Sequence, residues 1–512
     1  MSDAMTDPRR VTLTAPPGAA NAAALTTTPR VVVVGGGIAG LAAATGLAER
    51  GVGVDVVERE PQLGGRVGGW TETLDDGTPV AMNRGFHAFF RQYYNLRKLL
   101  GRIDPTLSML TPVDDYPLVD AHGRRDTFRG LPRTPPFNAL AFAVRSPTFR
   151  LRDLVRLNAR AAAPLAAVSV PGTYHRLDHV DAETFLRAIN FPEAARHLAF
   201  EVFSRSFFAR PAELSAAELA TMFHIYFLGS SEGLVFDVAA ANFDVALWNP
   251  LRAYLETRGV RFRTGVAVTE VREGTRFEVR CSTGATLHAD GVVLATDVTA
   301  LQRIVGNSGN LGDQAWRDRI AALCTAPPFV VQRLWLDRPV NPDRAPFLGT
   351  GGLPPLDNVS VLERYEREAA DWRVRTGGSV VELHAYAAAG PEVTEQLVKR
   401  LHELYPETAR ARVVGERVLC HDDCPRFAPG DFAGRPGVTT PHEALMLAGD
   451  GIRIDLPVAL MERAATTGWA AANRLLARFG IMGHTLHTVP MRGRSAVLRR
   501  LSERRIRDEP AG

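Results

Sequence analysis

Four consecutive valines, Val31–Val34, stand between a stretch rich in Ala, Thr and Pro and a run of three glycines. A short, continuous apolar run bounded by turn residues predicts a strand buried on both faces. From Ile38 to Arg50 the chain is rich in Ala and Leu and stops at Gly51, which predicts a helix with a glycine end signal. Val54–Val57 predicts a second, parallel strand with Glu58 at its carboxyl end. Later runs, "GVRFRTGVAVTEV" (259–271) and "ADGVVLATDV" (289–298), predict strands that return to the same domain, and Leu445–Ala448 predicts a further buried strand. After Pro457 a helix is expected through Met461 and Ala471. "PFVVQRLWLDRP" and "GGSVVELHAYAAA" predict strands of a second sheet.

Each glycine of Gly35-x-Gly37-x-x-Gly40 has a physical reason. Gly35 permits the tight turn, Gly37 lets a pyrophosphate approach the backbone, and Gly40 lets the helix lie close on the strand. The unpaired N–H groups and positive dipole end of the helix favour phosphate there. Glu58 is placed to accept hydrogen bonds from a ribose diol. Strand, turn, helix, strand and acid in this order predict a dinucleotide site. The alternative is a tight βαβ turn without a ligand.

The 512 residues exceed what one hydrophobic core holds, so two or more domains are expected. With 46% hydrophobic and 23% charged residues, the chain reads as a soluble globular protein. A net charge of +4 gives no argument for nucleic acid as a partner. Cysteines at 281, 324, 420 and 424 do not make a disulfide framework and fit a reducing cytoplasm. Cys420-His-Asp-Asp-Cys424 lacks a second ligand pair at zinc or Rieske spacing, so no metal is expected. Residues 1–29 read as a disordered leader. No apolar run is long enough for a spanning helix. Two basic stretches are candidates for an anionic membrane surface. In residues 149–165, Arg152, Arg156 and Arg160 would share one helical face, and seven arginines lie between 492 and 507. The alternative for both is a solvated charged helix.

These motifs together resemble the flavin amine oxidase and carotenoid desaturase superfamily. The resemblance rests on the glycine motif with Glu58, on Gly64-Gly65-Arg66, on Val268, and on Gly449-Asp450 between a strand and a helix of small residues. It implies FAD as the cofactor. Ile38, Ala39 and Arg59 would join Gly35, Gly37, Gly40 and Glu58, and Gly65 and Arg66 would continue the site along the pyrophosphate, with Arg66 neutralising phosphate charge. Val268 would cover the adenine through its backbone. Gly449 and Asp450 would reach the ribityl or pyrophosphate region. The helix end at Val458–Met461, with Met461, would face the pyrimidine edge of the flavin, where a positive helix end stabilises the reduced anion. The alternatives are a surface arginine at 66 and a plain sheet valine at 268.

The implied fold is α/β, a Rossmann-like FAD-binding domain with an inserted α+β substrate domain, like the flavin amine oxidases and phytoene desaturases. It divides the chain into a leader (1–29), an FAD-binding domain (30–105, 251–300 and 426–480), a substrate-binding domain (106–250 and 301–425) and a basic tail (481–512).

A narrower resemblance rests on "RGFHAFFRQYYNLRKLL" and "PVDDYPLV". These are similar to the bacterial isorenieratene synthase family, FAD-dependent β-carotene desaturase/methyltransferases. The resemblance implies that a β-ionone ring becomes aromatic while one geminal methyl moves to the adjacent carbon, with two two-electron oxidations per ring. It implies an apolar carotenoid substrate, oxygen or a quinone as electron acceptor, and a cytoplasmic enzyme attached to the inner face of the cell membrane. Gly85 and Phe86 would lie at the flavin. His87 would be the candidate catalytic base, the alternative being a structural histidine that bonds cofactor or backbone. His224 is a second candidate. Other readings stay open: a phytoene-type desaturase or carotene cis–trans isomerase, an amine or porphyrinogen oxidase, or a non-catalytic isoprenoid-binding protein.

Overall fold

A computed structural model describes residues 7–149, 155–195 and 205–493. A five-stranded parallel sheet runs Arg261–Arg263, Gly53–Val57, Arg30–Val34, Gly291–Leu294, Leu445–Leu447. Its three central strands are apolar runs, interrupted only by the buried Asp55 that pairs with Arg30 and Arg261, because both faces are covered. The helix Ile38–Ala48 crosses between the first two strands in sequence and is buried at every position. It has no amphipathic stripe because the sheet covers one side and the long helix Leu460–Arg478 the other. Small residues permit that approach. A Cβ on Gly46 would stand 2.8 Å from Ala472 Cβ, and one on Gly468 would run into the Ala39 carbonyl oxygen.

The second large sheet has seven strands, ordered Val413–His421, Phe329–Leu336, Ser379–Ala385, Asn358–Val361, Phe347–Gly351, Leu118–Asp120 and Arg125–Asp126. The two strands expected from "PFVVQRLWLDRP" and "GGSVVELHAYAAA" are antiparallel neighbours within it. One face, with Leu334, Val381 and Leu383, packs on the helix Glu392–Leu404 through Val393, Leu397 and Leu401. Alternation then sends Val331, Arg333, Glu382 and His384 to the opposite face, where Val331 and His384 line a cavity. Val268–Arg272 does not join the parallel sheet. It forms a separate three-stranded sheet with Phe277–Cys281 and Thr286–Ala289.

Three expectations need correction. Residues 7–29 are not a free leader. Val11–Leu13 pairs antiparallel with Leu486–Thr488, and the buried Asp7 accepts hydrogen bonds from Tyr94 Oη (2.6 Å) and Ser230 Oγ (2.5 Å). The partners are hundreds of residues away in sequence, so local composition gave no sign of them. By the same pairing, the start of the 481–512 segment is part of the fold, while its arginines beyond 493 lie outside the described residues. Finally, Arg156 and Arg160 do not share one continuous helix. Asn158 leaves helical geometry and accepts from Ala161 N–H, which starts a new helix at Ala159. Arg152 lies outside the described residues.

Gly468→Ala tests the helix contact. Overpacking against a backbone carbonyl should outweigh the gain from replacing a helical glycine and lower stability by about 1–3 kcal/mol. A lower denaturant midpoint at unchanged slope is the expected reading.

Candidate active site

One cavity of about 420 Å³ runs from the glycine turn to the face of the seven-stranded sheet. At one end the turn is held by backbone constraints. Gly35 has φ +105°, and a Cβ there would strike the Ala295 carbonyl. Gly64, with φ +103°, donates its N–H to Gly36 O (2.9 Å), which docks the Gly-Gly-Arg loop on the glycine turn. Trp248 Nε1–H donates to Val67 O (2.6 Å) and closes that loop from behind. Glu58 is buried and accepts from Gly36 N–H (2.6 Å) and Glu60 N–H (2.8 Å). Burial pushes its carboxyl above the ordinary range against those two bonds.

Two helix N-termini open on this cavity without side-chain caps. Gly37 begins one, with Ile38 and Ala39 on the cavity wall. Ala459 begins the other, with Leu460 and Met461 on the wall. Uncapped N–H groups and a positive dipole end suit an anionic ligand. Arg66 donates from Nη1 and Nη2 to the two oxygens of Asp450 (2.9 and 2.5 Å). Beside this pair, burial pushes the Cys424 thiol up to about 12, so it stays protonated. The uncapped helix ends, the buried acid at the second strand and the Arg66–Asp450 pair fit a flavin dinucleotide.

The other end is aromatic. Phe86 stacks on Phe347 with centroids 4.4 Å apart and meets Phe236 edge-on at 6.0 Å. Phe236 also touches Tyr116 (4.7 Å) and Phe90 (5.2 Å). Phe208 lies between Phe329 (4.7 Å) and Tyr386 (5.0 Å). The charged groups here are matched: Arg84 with Asp423 (2.8 and 3.0 Å) and Arg205 with Asp357. Phe208 and Leu460, both on the wall, have φ of +54° and +52°. Side chains rarely adopt that conformation, and each costs of order 1–3 kcal/mol.

Gly85 explains how Phe86 and His87 reach the wall. It has φ +101°, its N–H donates to Asn83 Oδ1 (2.9 Å), and a Cβ would stand 2.7 Å from His384 Cε1. His87 Nδ1 lies 2.8 Å from Gly85 O. A carbonyl only accepts, so Nδ1 carries the ring proton and Nε2 keeps its lone pair. Burial, with His384 and Arg84 nearby, lowers the His87 pKa to about 4 despite the Gly85 bond, so the ring is neutral at physiological pH.

Of the expected site residues, all but Gly40, Gly85 and the second candidate base, His224, line this one cavity. The two glycines act behind it: a Cβ on Gly40 would run into Gly35 O, and Gly85 shapes the corner. Arg66 and Asp450, expected to meet different parts of a cofactor, are brought onto each other. Arg59 is half-exposed and bonds Glu60 at 2.9 Å. His224 is not on the cavity. It is buried in a one-turn π-helix with Nε2 2.7 Å from Pro490 O. The reading missed the polar groups on the sheet face: Arg205, Arg333, Asp357, Glu382, His384 and Tyr386. A signal existed, since "VVELHAYAA" carries Glu382, His384 and Tyr386 at period two in an otherwise apolar strand.

A family model described as flavin containing amine oxidoreductase matches residues 38–476. A carotenoid phi-ring synthase of Streptomyces griseus is 59% identical over 471 residues, 91% of each chain. A zeta-carotene desaturase of Synechocystis sp. is 27% identical over 486 residues, 86% of this chain and 96% of that one. Among solved structures, cyclohexylamine oxidase from Brevibacterium oxydans superposes with a TM-score of 0.63 at 17% identity, covering 88% of this chain and 100% of that one.

The His87 environment has a consequence for stability. With a folded pKa of about 4 against 6.5 unfolded, the unfolded chain binds the proton first. The stability that His87 contributes is therefore present above about pH 6.5 and lost as pH falls toward 4, by up to about 3 kcal/mol. Denaturant midpoints of wild type and His87→Phe should differ by a constant amount above pH 7. Wild type should lose ground to the variant between pH 6.5 and 4.

Proposed function

The chain belongs to the family of flavin-containing amine oxidoreductases and is an FAD-dependent oxidoreductase, and from that premise we propose that it aromatises the β-ionone ring of a carotene. The ring is desaturated while one geminal methyl shifts to the neighbouring carbon, yielding a φ ring, and isorenieratene when both rings of β-carotene react. The observation that carries this reading is the continuity of the glycine–arginine end of the cavity with an aromatic end whose charges are already paired. The 59% identity to a carotenoid phi-ring synthase supports the same reading.

FAD, when bound, would supply the acceptor for a hydride, that is, two electrons and a proton. Gly35, Gly37, Glu58, Arg66, Gly449 and Asp450 hold it, so that segments 30–105, 251–300 and 426–480 are the cofactor's side of the molecule. Segments 106–250 and 301–425, together with the turn at Phe86, hold the carotene. A hydrocarbon offers no hydrogen bonds, so its binding comes from apolar burial at roughly 25 cal/mol per Å². Phe86, Phe236 and Phe347 supply that contact, and their π faces stabilise positive charge developing on the ring. An amine substrate needs a free carboxylate or an aromatic cage open to a cation's counter-charge. Here Asp357 is bound to Arg205, and Glu382 to Arg333 and His384.

The substrate is a membrane solute, and the chain offers a surface for reaching it. On the helix Phe137–Arg145, Phe137, Leu140 and Val144 are exposed. Arg129, Arg133 and Arg145 lie nearby in sequence, with no acidic residue between 127 and 149, although Arg133 bonds Glu232 (3.3 Å). On the inner side Phe142 stacks on Phe128 (4.8 Å), and Phe128 on Tyr116 (4.3 Å), which lines the cavity. No described helix is long and apolar enough to cross a membrane. This helix therefore lies in the interface of an anionic bilayer and delivers the carotene one aromatic layer inward.

Two measurements test these readings. Expressed in a β-carotene-accumulating host, the enzyme should yield a carotenoid lighter by four hydrogens per converted ring. A product of unchanged mass would indicate an isomerase, and one with added double bonds but an intact gem-dimethyl ring a chain desaturase. On vesicles of phosphatidylglycerol and phosphatidylcholine, the wild type should float with the lipid. The double variant Leu140→Glu, Val144→Glu should stay at the bottom while keeping its far-UV spectrum.

A further inference from the structure

The proton that leaves the ring on aromatisation needs an acceptor, and His87 is a poor one. Among the described residues no carboxylate hydrogen-bonds its ring, and burial outweighs the Gly85 bond and the more distant Glu382 that favour a positive charge there. Beside this ring, against Gly85 and Phe86, the sheet face offers a better arrangement. The strand Ser379–Ala385 places Glu382 and His384 on the cavity side, and Tyr386 follows at its end. His384 Nε2 is 2.9 Å from Glu382 Oε1, and His384 Nδ1 is 3.0 Å from Tyr386 Oη. Both His384 and Tyr386 line the cavity.

We propose that Tyr386, His384 and Glu382 form a relay that takes the proton lost from the substrate ring as it becomes aromatic, an inference that rests on the ring-aromatising reading above. The tautomer follows from the partners. A lone pair on Nε2 would face the Glu382 carboxylate, so Nε2 carries the proton, although Phe86 N–H also approaches that nitrogen at 3.2 Å. Nδ1 of the neutral ring then accepts from the Tyr386 hydroxyl. The Tyr386 oxygen in turn accepts from Asn358 Nδ2 (3.1 Å), which leaves a lone pair available.

Glu382 is fixed from behind. Arg333, fully buried, donates to Glu382 Oε2 from Nε (3.0 Å) and Nη2 (2.7 Å), and from Nη1 to Ala81 O (2.8 Å). Burial alone would push the Glu382 carboxyl up, but Arg333 and His384 outweigh it and hold it at about 2, so the carboxylate is always charged. Glu366, 3.4 Å from Arg333, is raised to about 7 by burial. A second carboxylate is thus ready to ionise when a positive charge arrives.

The step balances without an oxidant. The ring cation's C–H bond breaks, and its electron pair becomes the last ring double bond. The proton goes to the Tyr386 oxygen as the Tyr386 hydroxyl proton moves to His384 Nδ1. The imidazolium so formed is held by Glu382. Tyr386 and His384 are the catalytic residues of this step, and Glu382 is a positioning residue.

The test separates hydride loss from proton loss in Tyr386→Phe and Glu382→Gln. Purified, FAD-loaded enzyme is mixed anaerobically with β-carotene in detergent, and bleaching of the flavin band reports the hydride step. The same variants in a β-carotene-accumulating host report aromatic product. For Tyr386→Phe we expect bleaching within a few-fold of wild type and aromatic product down by about 100-fold or more. Glu382→Gln, which keeps the hydrogen bond but removes the charge, should show the same split. Tyr386→Phe decides if Glu382→Gln fails to fold. Near-wild-type aromatic product from Tyr386→Phe, or an equal loss of bleaching and product, overturns the relay. A wild type that gives no aromatic ring overturns the ring-aromatising reading itself, and the relay with it.

Discussion

Two helices can approach closely along their length when small residues line their contact. The helix Ile38–Ala48 satisfies this with Gly46, and Leu460–Arg478 with Gly468, whose missing side chain leaves room for the Ala39 carbonyl. The rest of the site depends on this approach. It brings two uncapped N-termini, one from each end of the sequence, to the same opening. It also sets Asp450, just upstream of the second helix, against Arg66 from the loop after the second strand. A larger residue at either glycine would spread the helix ends, and with them the positive potential that favours an anionic ligand.

The cavity's two ends handle charge differently. At the glycine end, fixed backbone dipoles of two helix N-termini face the interior beside the Arg66–Asp450 pair. At the aromatic end, each ionised group is bound to another before a ligand meets it: Arg84 to Asp423, Arg205 to Asp357, Arg333 to Glu382. Buried pairs of this kind cost desolvation and are weak evidence for stability, though removing one partner costs about 3–5 kcal/mol. Their effect here is to keep the aromatic end dry and neutral overall, the condition under which π faces interact best with a charge that arises during reaction. His87 and His384 show the difference that a partner makes. Both line the cavity, and among the described residues only His384 has a carboxylate in hydrogen-bond contact.

The nucleotide crossover was legible because its information is local. Gly35, Gly37, Gly40, the following helix and Glu58 all fall within one short stretch, and each residue type answers a nearby steric or electrostatic demand. The two strands of the second sheet were equally legible as apolar runs, although nothing in either run indicated that they would be neighbours. Arg66 and Asp450 were each marked by a motif, yet their mutual bond spans most of the chain. Arg205 and Asp357 carried no motif at all. They became site residues because the helical turn Arg205–Phe207 meets the loop before the strand Asn358–Val361.

By itself, the sequence determined the βαβ unit, the residues that turn its corner, the apolar strands of the parallel sheet and two strands of the second, since dihedral preference and burial period act over a few residues. Only the tertiary structure decided what "MNRGFHAFF" does. Gly85 bends the chain so that Phe86 joins the aromatic end, His87 bonds back to Gly85 O, and the segment faces Glu382, His384 and Tyr386 about three hundred residues later. The physical reason is that a histidine's proton affinity is set by the charges and solvent around it. Those neighbours come from strands that only the folded sheet brings within reach.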